Sequence, residues 1–293
     1  MRNDLYDDLA GLLGERVTLL RPLRGGDVAE AFRAELADGR TVFAKTHRRP
    51  IAEFFVTEAS GLSWLGETGV LHVPAVLAVR DDDTGRAPWL VLEWIATSPG
   101  VAPDEAAFGL ELAALHGAGA SCFGRDDGRR TGSRGLPNQP CESWAEFFSS
   151  QRLMPLASLV RNAEHLGPGA ARLARGLETV AARMADLAGP CEPPSRLHGD
   201  LWAGNRLVGR NGVSWLVDPA CFGGHREFDL AMMRLFGGFG PAVFASYEDV
   251  TPLAAGWQER IPLYQLAPLA VHAVKFAGSY PAALERALVA LGA

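Results

Sequence analysis

The feature that most constrains this chain is the stretch Arg196-Leu197-His198-Gly199-Asp200-Leu201-Trp202-Ala203-Gly204-Asn205, followed after a short hairpin by Asp218-Pro219-Ala220. Arg206-Leu207-Val208 and Ser214-Trp215-Leu216-Val217 read as brief strands around an Asn211-Gly212 turn pair. A two-residue turn opposes Arg210 to Val213, and carrying that register back along the ladder sets Asn205 directly across from Asp218, about 5 Å apart at Cβ. An amide oxygen and a carboxylate converging there, without cysteine or any need of histidine, make a hard donor set. It suits Mg²⁺, which keeps most of its water and bridges phosphates.

At 293 residues and 48% hydrophobic, the chain can bury a sizeable core and divide into two lobes. The net charge is −6 and the pI about 5.7, with basic residues scattered, so neither a nucleic-acid groove nor an anionic membrane surface is expected. Small-molecule chemistry fits better. The start, Met1 to Asp8, is acidic and polar, unlike a secretory signal, and no segment reads as a membrane span. The cysteines, Cys122, Cys141, Cys191 and Cys221, are widely spaced and suggest reduced structural thiols in a cytoplasmic protein, a monomer by expectation.

Along the chain, residues 4–14 suggest an amphipathic helix and Val17 to Leu23 a first strand, which runs into Arg24-Gly25-Gly26-Asp27, a short phosphate-loop candidate. Ala29 to Leu36 and Thr41 to Thr46 form a hairpin through Asp38-Gly39. Lys45, near its end, is one of only two lysines in a chain that otherwise uses arginine; the other is Lys275. Pro50 opens a helical run from Ile51 to Leu65 whose Phe54, Glu58, Leu62 and Leu65 recur at helical spacing. Glu58 is the natural partner for Lys45. Val73 to Val79 and Pro88 to Ile95 complete a small antiparallel sheet before the turn-rich linker of residues 96–103. Residues 121–142 read as irregular, Ser143 as the start of a helix, and residues 168–188 as another. The remainder is mainly helical. The resulting plan is α+β, with an N-terminal nucleotide-binding lobe (residues 1–95), a catalytic and substrate-binding lobe (residues 96–293), and nucleotide in the cleft.

His198 to Asn205 has the form H-x-D-L-x-x-x-N, the catalytic-loop pattern of the protein-kinase superfamily with Gly199 in place of arginine. In that topology Lys45, held by Glu58, meets the ATP phosphates, and the backbone of Glu93-Trp94-Ile95 meets the adenine edge. Trp202 and the run Gly224-His225-Arg226-Glu227-Phe228-Asp229-Leu230-Ala231-Met232 narrow the resemblance. So do Asn138-Gln139-Pro140, Trp144, Leu235 to Phe239, and Leu263-Tyr264-Gln265-Leu266. Across nearly its whole length the sequence resembles the fructosamine kinase (ketosamine-3-kinase) family, which shares a bilobal protein-kinase-like fold with aminoglycoside and choline kinases.

The resemblance implies that Asp200 is the catalytic base, Asn205 and Asp218 the metal ligands, and Lys45 with Glu58 the phosphate clamp. It implies transfer from ATP to the 3-hydroxyl of a small-molecule or protein-bound ketosamine in deglycation repair. An aromatic face at Trp202 would stack on the sugar and its protonated amine. Some members of the family it resembles carry a cysteine in the glycine-rich loop that can join two chains, and residues 24–31 hold none. Three alternatives compete: a kinase for another amino sugar or amino alcohol, a nucleotide-binding pseudokinase, and a metallohydrolase built on His198, Asp200, Asp218, His225 and Asp229. His198 and Asp229 read instead as braces of the loop. The absence of an arginine before Asp200 and of an Ala-Pro-Glu activation segment implies a constitutive site.

Overall fold

A computed structural model of the chain describes residues 2–23, 29–47, 52–81, 86–98, 100–276 and 278–293. Its N-terminal elements are α1 (Arg2–Leu13), β1 (Val17–Pro22), β2 (Glu30–Leu36), β3 (Thr41–Thr46), α2 (Phe54–Gly66), β4 (Val76–Arg80), β5 (Trp89–Glu93) and α3 (Glu105–Gly117). Then come α4 (Trp144–Phe147), which continues through a π-helical segment into α5 (Met154–Arg161), α6 (Gly169–Ala182), α7 (Met184–Leu187) and β6 (Ser195–Leu197). The chain closes with β7 (Arg206–Val208), β8 (Ser214–Leu216), β9 (Phe222–Gly224), α8 (Glu227–Phe236), α9 (Pro241–Val250), α10 (Trp257–Lys275) and α11 (Tyr280–Ala290). These form two compact units: Met1–Asp104 with Thr131–Gly135 and Asn205–Ala220, and Glu105–Arg130 with Leu136–Gly204 and Cys221–Ala293.

In the first unit a five-stranded antiparallel sheet runs in the order β1-β2-β3-β5-β4. Strand alternation divides its side chains between two faces. Val42 and Ala44 of β3, with Trp89 and Val91 of β5, pack with Leu9 of α1. Leu90 and Leu92 pack with Phe55, Ala59 and Leu62 of α2, and Phe43 joins them. Lys45 lies two residues beyond Phe43 and so shares the α2 face.

Helix α2 begins at Phe54, later than the expected start at Ile51, which lies outside the described residues. Glu53 holds a left-handed backbone (φ 59°), which breaks the helix on its N-terminal side, and Asp81 accepts the Phe55 amide at 3.1 Å. The expected helix over residues 168–188 is interrupted at Arg183, between α6 and α7.

The β7–β8 hairpin corrects the expected register. Arg206 pairs with Leu216, Leu207 with Trp215 and Val208 with Ser214. The Gly209 amide donates to the Val213 carbonyl at 2.9 Å, so three residues turn the chain, with Gly212 (φ 77°) supplying the left-handed position. Asn205 therefore stands across from Val217, whose amide donates to its carbonyl at 3.0 Å, and Asp218 lies one residue further on.

The second unit is mainly helical. Ser143 caps α4, its hydroxyl accepting the Glu146 amide at 3.2 Å, and delivers Trp144 into the core. Phe147, Phe148, Phe222, Phe228 and Tyr264 surround that indole. Tyr264 accepts the indole N–H at 3.2 Å and donates to the Ala188 carbonyl at 2.5 Å. Among the described residues no helix is long and apolar enough to cross a membrane.

Candidate active site

The predicted site residues gather in two groups, one in each unit. In the first, the Lys45 ammonium lies 2.6 Å from a Glu58 carboxylate oxygen and 2.5 Å from Asp218 Oδ1. Lys45 and Glu58 are buried, whereas the Asp218 side chain is 55% exposed. Burial alone would draw the ammonium down, but Glu58 and Asp218 hold it above the ordinary lysine value. Burial pushes the Glu58 carboxyl up to about 7, against the opposing pull of Lys45 and with Asp218 adding to the push. Two carboxylates share one ammonium, so the set carries one negative charge in excess when both are ionised.

Although the one-residue shift in the hairpin removes the direct Asn205–Asp218 opposition, the two stay neighbours by another route. Asp218 adopts φ 52°, a left-handed conformation uncommon outside glycine, and its carbonyl accepts the Asn205 side-chain amide at 3.5 Å. The bend replaces the ladder as the cause of their proximity.

In the second unit Asp229, in the first turn of α8 and fully buried, accepts the His198 amide at 2.8 Å and the Gly199 amide at 2.9 Å. The Asp200 amide donates to His198 Nδ1 at 3.3 Å. A ring nitrogen that accepts an amide carries no proton, so this contact makes the imidazole a support for the loop. Asp200 itself is half-buried, and its carbonyl accepts the Trp202 amide at 3.1 Å. These bonds make His198 and Asp229 braces of the loop, as expected.

Behind Asp229 lies a polar chain that sequence reasoning missed. His116, at the end of α3, places Nε2 3.5 Å from Asp229 Oδ2 and Nδ1 2.8 Å from the Tyr247 hydroxyl. Burial raises the Tyr247 phenol, which keeps its proton. Arg226 also bonds Tyr247 and is paired with Glu192 at 2.8 and 2.9 Å. Arginine only donates, so Tyr247 accepts from it and gives its own proton to His116, which in turn points an N–H at Asp229. The adjacent Glu227 pairs with Arg260 at 2.5 and 2.8 Å. Three polar members of the His225-to-Met232 run therefore stabilise structure: Arg226 and Glu227 by ion pairs, Asp229 by holding the loop.

Of the remaining predicted site residues, Gly25 and Gly26 lie outside the described residues. Glu93 ends β5, where its amide donates to the Ala75 carbonyl at 2.9 Å and its carboxylate accepts the Ala75 amide at 3.2 Å. Trp94 lies under the Arg33 guanidinium at 5.4 Å, and Ile95 is half-buried. Trp202 is 39% exposed and meets Phe236 edge-on at 5.8 Å. A Cβ at position 204 would fall 2.2 Å from the Trp202 ring, so the indole needs glycine there.

A family model described as fructosamine kinase matches residues 4–291. A Lactiplantibacillus plantarum protein assigned as a probable ketoamine kinase is 34% identical over 270 residues, which cover 92% of this chain and 93% of that one. Among solved structures, a Thermobifida fusca protein assigned as a fructosamine-3-kinase superposes with a TM-score of 0.86 at 37% identity, covering 99% of each chain. A Haemophilus somnus protein with the same assignment superposes at 0.84 with 25% identity, covering 99% of this chain and 97% of its own.

Proposed function

The chain belongs to the fructosamine kinase family, and from that premise we propose that it transfers the γ-phosphoryl group of ATP, with Mg²⁺, to the 3-hydroxyl of ketosamines in deglycation repair. The observation that carries this reading is the Lys45 ammonium between Glu58 and Asp218, with Asn205 adjoining Asp218. These are the charges that a polyphosphate and a hard cation require, brought together from β3, α2 and the turn after β8.

The donor set fits magnesium because both candidate ligands offer oxygen and the Asp218 carboxylate is more than half exposed. Asp218 and Asn205 would hold the ion, which supplies neutralisation of phosphate charge. Lys45, fixed by Glu58, meets the α- and β-phosphates. Gly25, Gly26 and the backbone of Glu93, Trp94 and Ile95 serve the nucleotide, so that residues 1–95 bind it and residues 96–293 handle catalysis and acceptor. Asp200 takes the proton from the acceptor hydroxyl as that oxygen bonds to the γ-phosphorus and the bond to the departing ADP oxygen breaks. Asp229 fixes the backbone before Asp200 without touching the reacting atoms. Trp202 stacks on the sugar and its protonated amine.

The test is ATP turnover by the purified chain with ribulose-, erythrulose- and fructose-derived lysine adducts side by side, with the product position read by NMR. Transfer to the 3-hydroxyl of at least one adduct is expected. Activity confined to amino sugars or amino alcohols would replace the ketosamine assignment.

A further inference from the structure

Of the two lysines, the phosphate side takes Lys45 and leaves Lys275 without a role. Lys275 occupies the last turn of α10, half-buried, with its ammonium 5.1 Å from the centre of the Phe276 ring. Among the described residues no carboxylate pairs with it. The ring and the helix C-terminus both favour a cation there without neutralising it.

Phe276 ends a run of rings that begins at Trp202. Trp202 meets Phe236 at 5.8 Å, Phe236 meets His272 at 5.1 Å, and His272 meets Phe276 at 5.4 Å and Tyr280 at 4.8 Å. The wall thus leads from an exposed indole, two residues past the proposed base, to an unpaired ammonium. Its middle suits a hydrocarbon stem, and its far end an anion.

We propose that this wall is the subsite for the amine carrier of the acceptor, and that Lys275 pairs with a carboxylate on that carrier. The preferred acceptor is then the ketosamine of a free amino acid, not an adduct buried within a polypeptide. The inference rests on the ketosamine reading above. A carrier lacking the carboxylate leaves the half-buried ammonium without a counter-charge, and the difference appears in kcat/KM.

The experiment compares fructose adducts of Nα-acetyl-lysine and Nα-acetyl-lysinamide, which differ at the carboxyl group, using the full chain with Mg²⁺ and ATP. Wild type is expected to favour the acid about tenfold at low salt, and less at about 0.5 M salt, because the pair is only half-buried. Lys275→Met should bring the acid-to-amide ratio close to one, and Lys275→Arg should keep most of it. Both adducts phosphorylated equally by wild type, or a ratio unchanged in Lys275→Met, would overturn the carrier inference and leave the ketosamine reading standing. If wild type phosphorylates amino sugars or amino alcohols but no ketosamine of any of the three sugars, both fall. Should Lys275→Met fail to fold, the salt dependence of the wild-type ratio decides the matter.

Discussion

The Lys45 set and the Asp229 brace both hold carboxylates in a polar network, yet they are built in opposite ways. Around Lys45 the partners are full charges, and one of them, Asp218, is more than half exposed. Around Asp229 the partners are two backbone amides and a histidine; Asp229, His198 and His116 are buried and Gly199 is half-buried. The first arrangement is one that a cation and a polyphosphate can enter and rearrange. The second has nothing to exchange, and its carboxylate is satisfied before any ligand arrives. On the function proposed above, the difference separates residues that handle ligand from residues that hold the loop still.

The sharpest way to break this comparison is at Asp200, which the brace positions but does not occupy. Asp200→Asn should lower kcat by about 10²–10⁴ while ATP affinity stays within a few-fold, since the carboxylate acts on the acceptor proton. Isothermal titration and steady-state turnover check the two halves. Wild-type turnover would remove Asp200 from the chemistry and favour another base.

On the exposed side of the charged set, Asp218→Ala should abolish the Mg²⁺ dependence of ATP binding, and Asn205→Ala should weaken it less. A carboxylate brings a full charge and an amide only a dipole. Binding measured across a magnesium series tests the order. Equal, small effects would mean that the two do not share an ion.

The brace should respond differently. Asp229→Asn replaces one accepting oxygen with a donor, so either the His198 or the Gly199 amide is left without its partner, at a cost of about 1–3 kcal/mol. The melting temperature should fall and kcat with it, while the magnesium dependence of ATP binding keeps its wild-type form. A variant that loses magnesium dependence without losing stability would place Asp229 among the ligand-handling residues.

Much of both regions was legible because local chemistry decides it. The strand Thr41–Thr46 has the expected bounds, Ser143 caps its helix, and Lys45 meets Glu58 because strand and helix periodicities put them on facing surfaces. The hairpin register was not legible. Asn211-Gly212 is compatible with a two- or a three-residue turn, and the choice rests on whether Gly212 takes the second or third place. The sequence reading reached the right neighbour for Asn205 through the wrong ladder, because the left-handed bend at Asp218 has no signature in an aspartate. His116 was missed for another reason. Its hydroxyl partner is 131 residues away, and a histidine on a helix rich in Ala and Leu carries no pattern.

The smallest expected effect sharpens the comparison from the charged side. In the metal-free chain Glu58 titrates near 7 in the folded state against a reference of 4.5, so the folded protein holds the extra proton between those values. A raised carboxyl contributes stability that is fully present below about 4.5 and is lost as pH rises through about 7. Lys45 is also raised, but its contribution is lost only above the ordinary lysine range and leaves this window alone. Burial holds His225 below the ordinary histidine value, so it adds stability as pH rises through the same window. Urea unfolding in EDTA should therefore carry a Glu58-dependent decline from pH 4.5 to 7.5 of at most about 3 kcal/mol, read as the difference between wild type and Glu58→Gln. Glu58→Gln imitates the protonated form, so it should flatten the decline and match or exceed wild type above pH 7. Under saturating magnesium and ATP the order should reverse, because Lys45 then needs a charged residue to hold it in place. A difference between wild type and Glu58→Gln that is flat across this range in EDTA, or a Gln variant weaker than wild type throughout, would show that Lys45 and Glu58 form a settled ion pair. The charged set would then be as closed as the Asp229 brace, and the distinction between the two regions would fail.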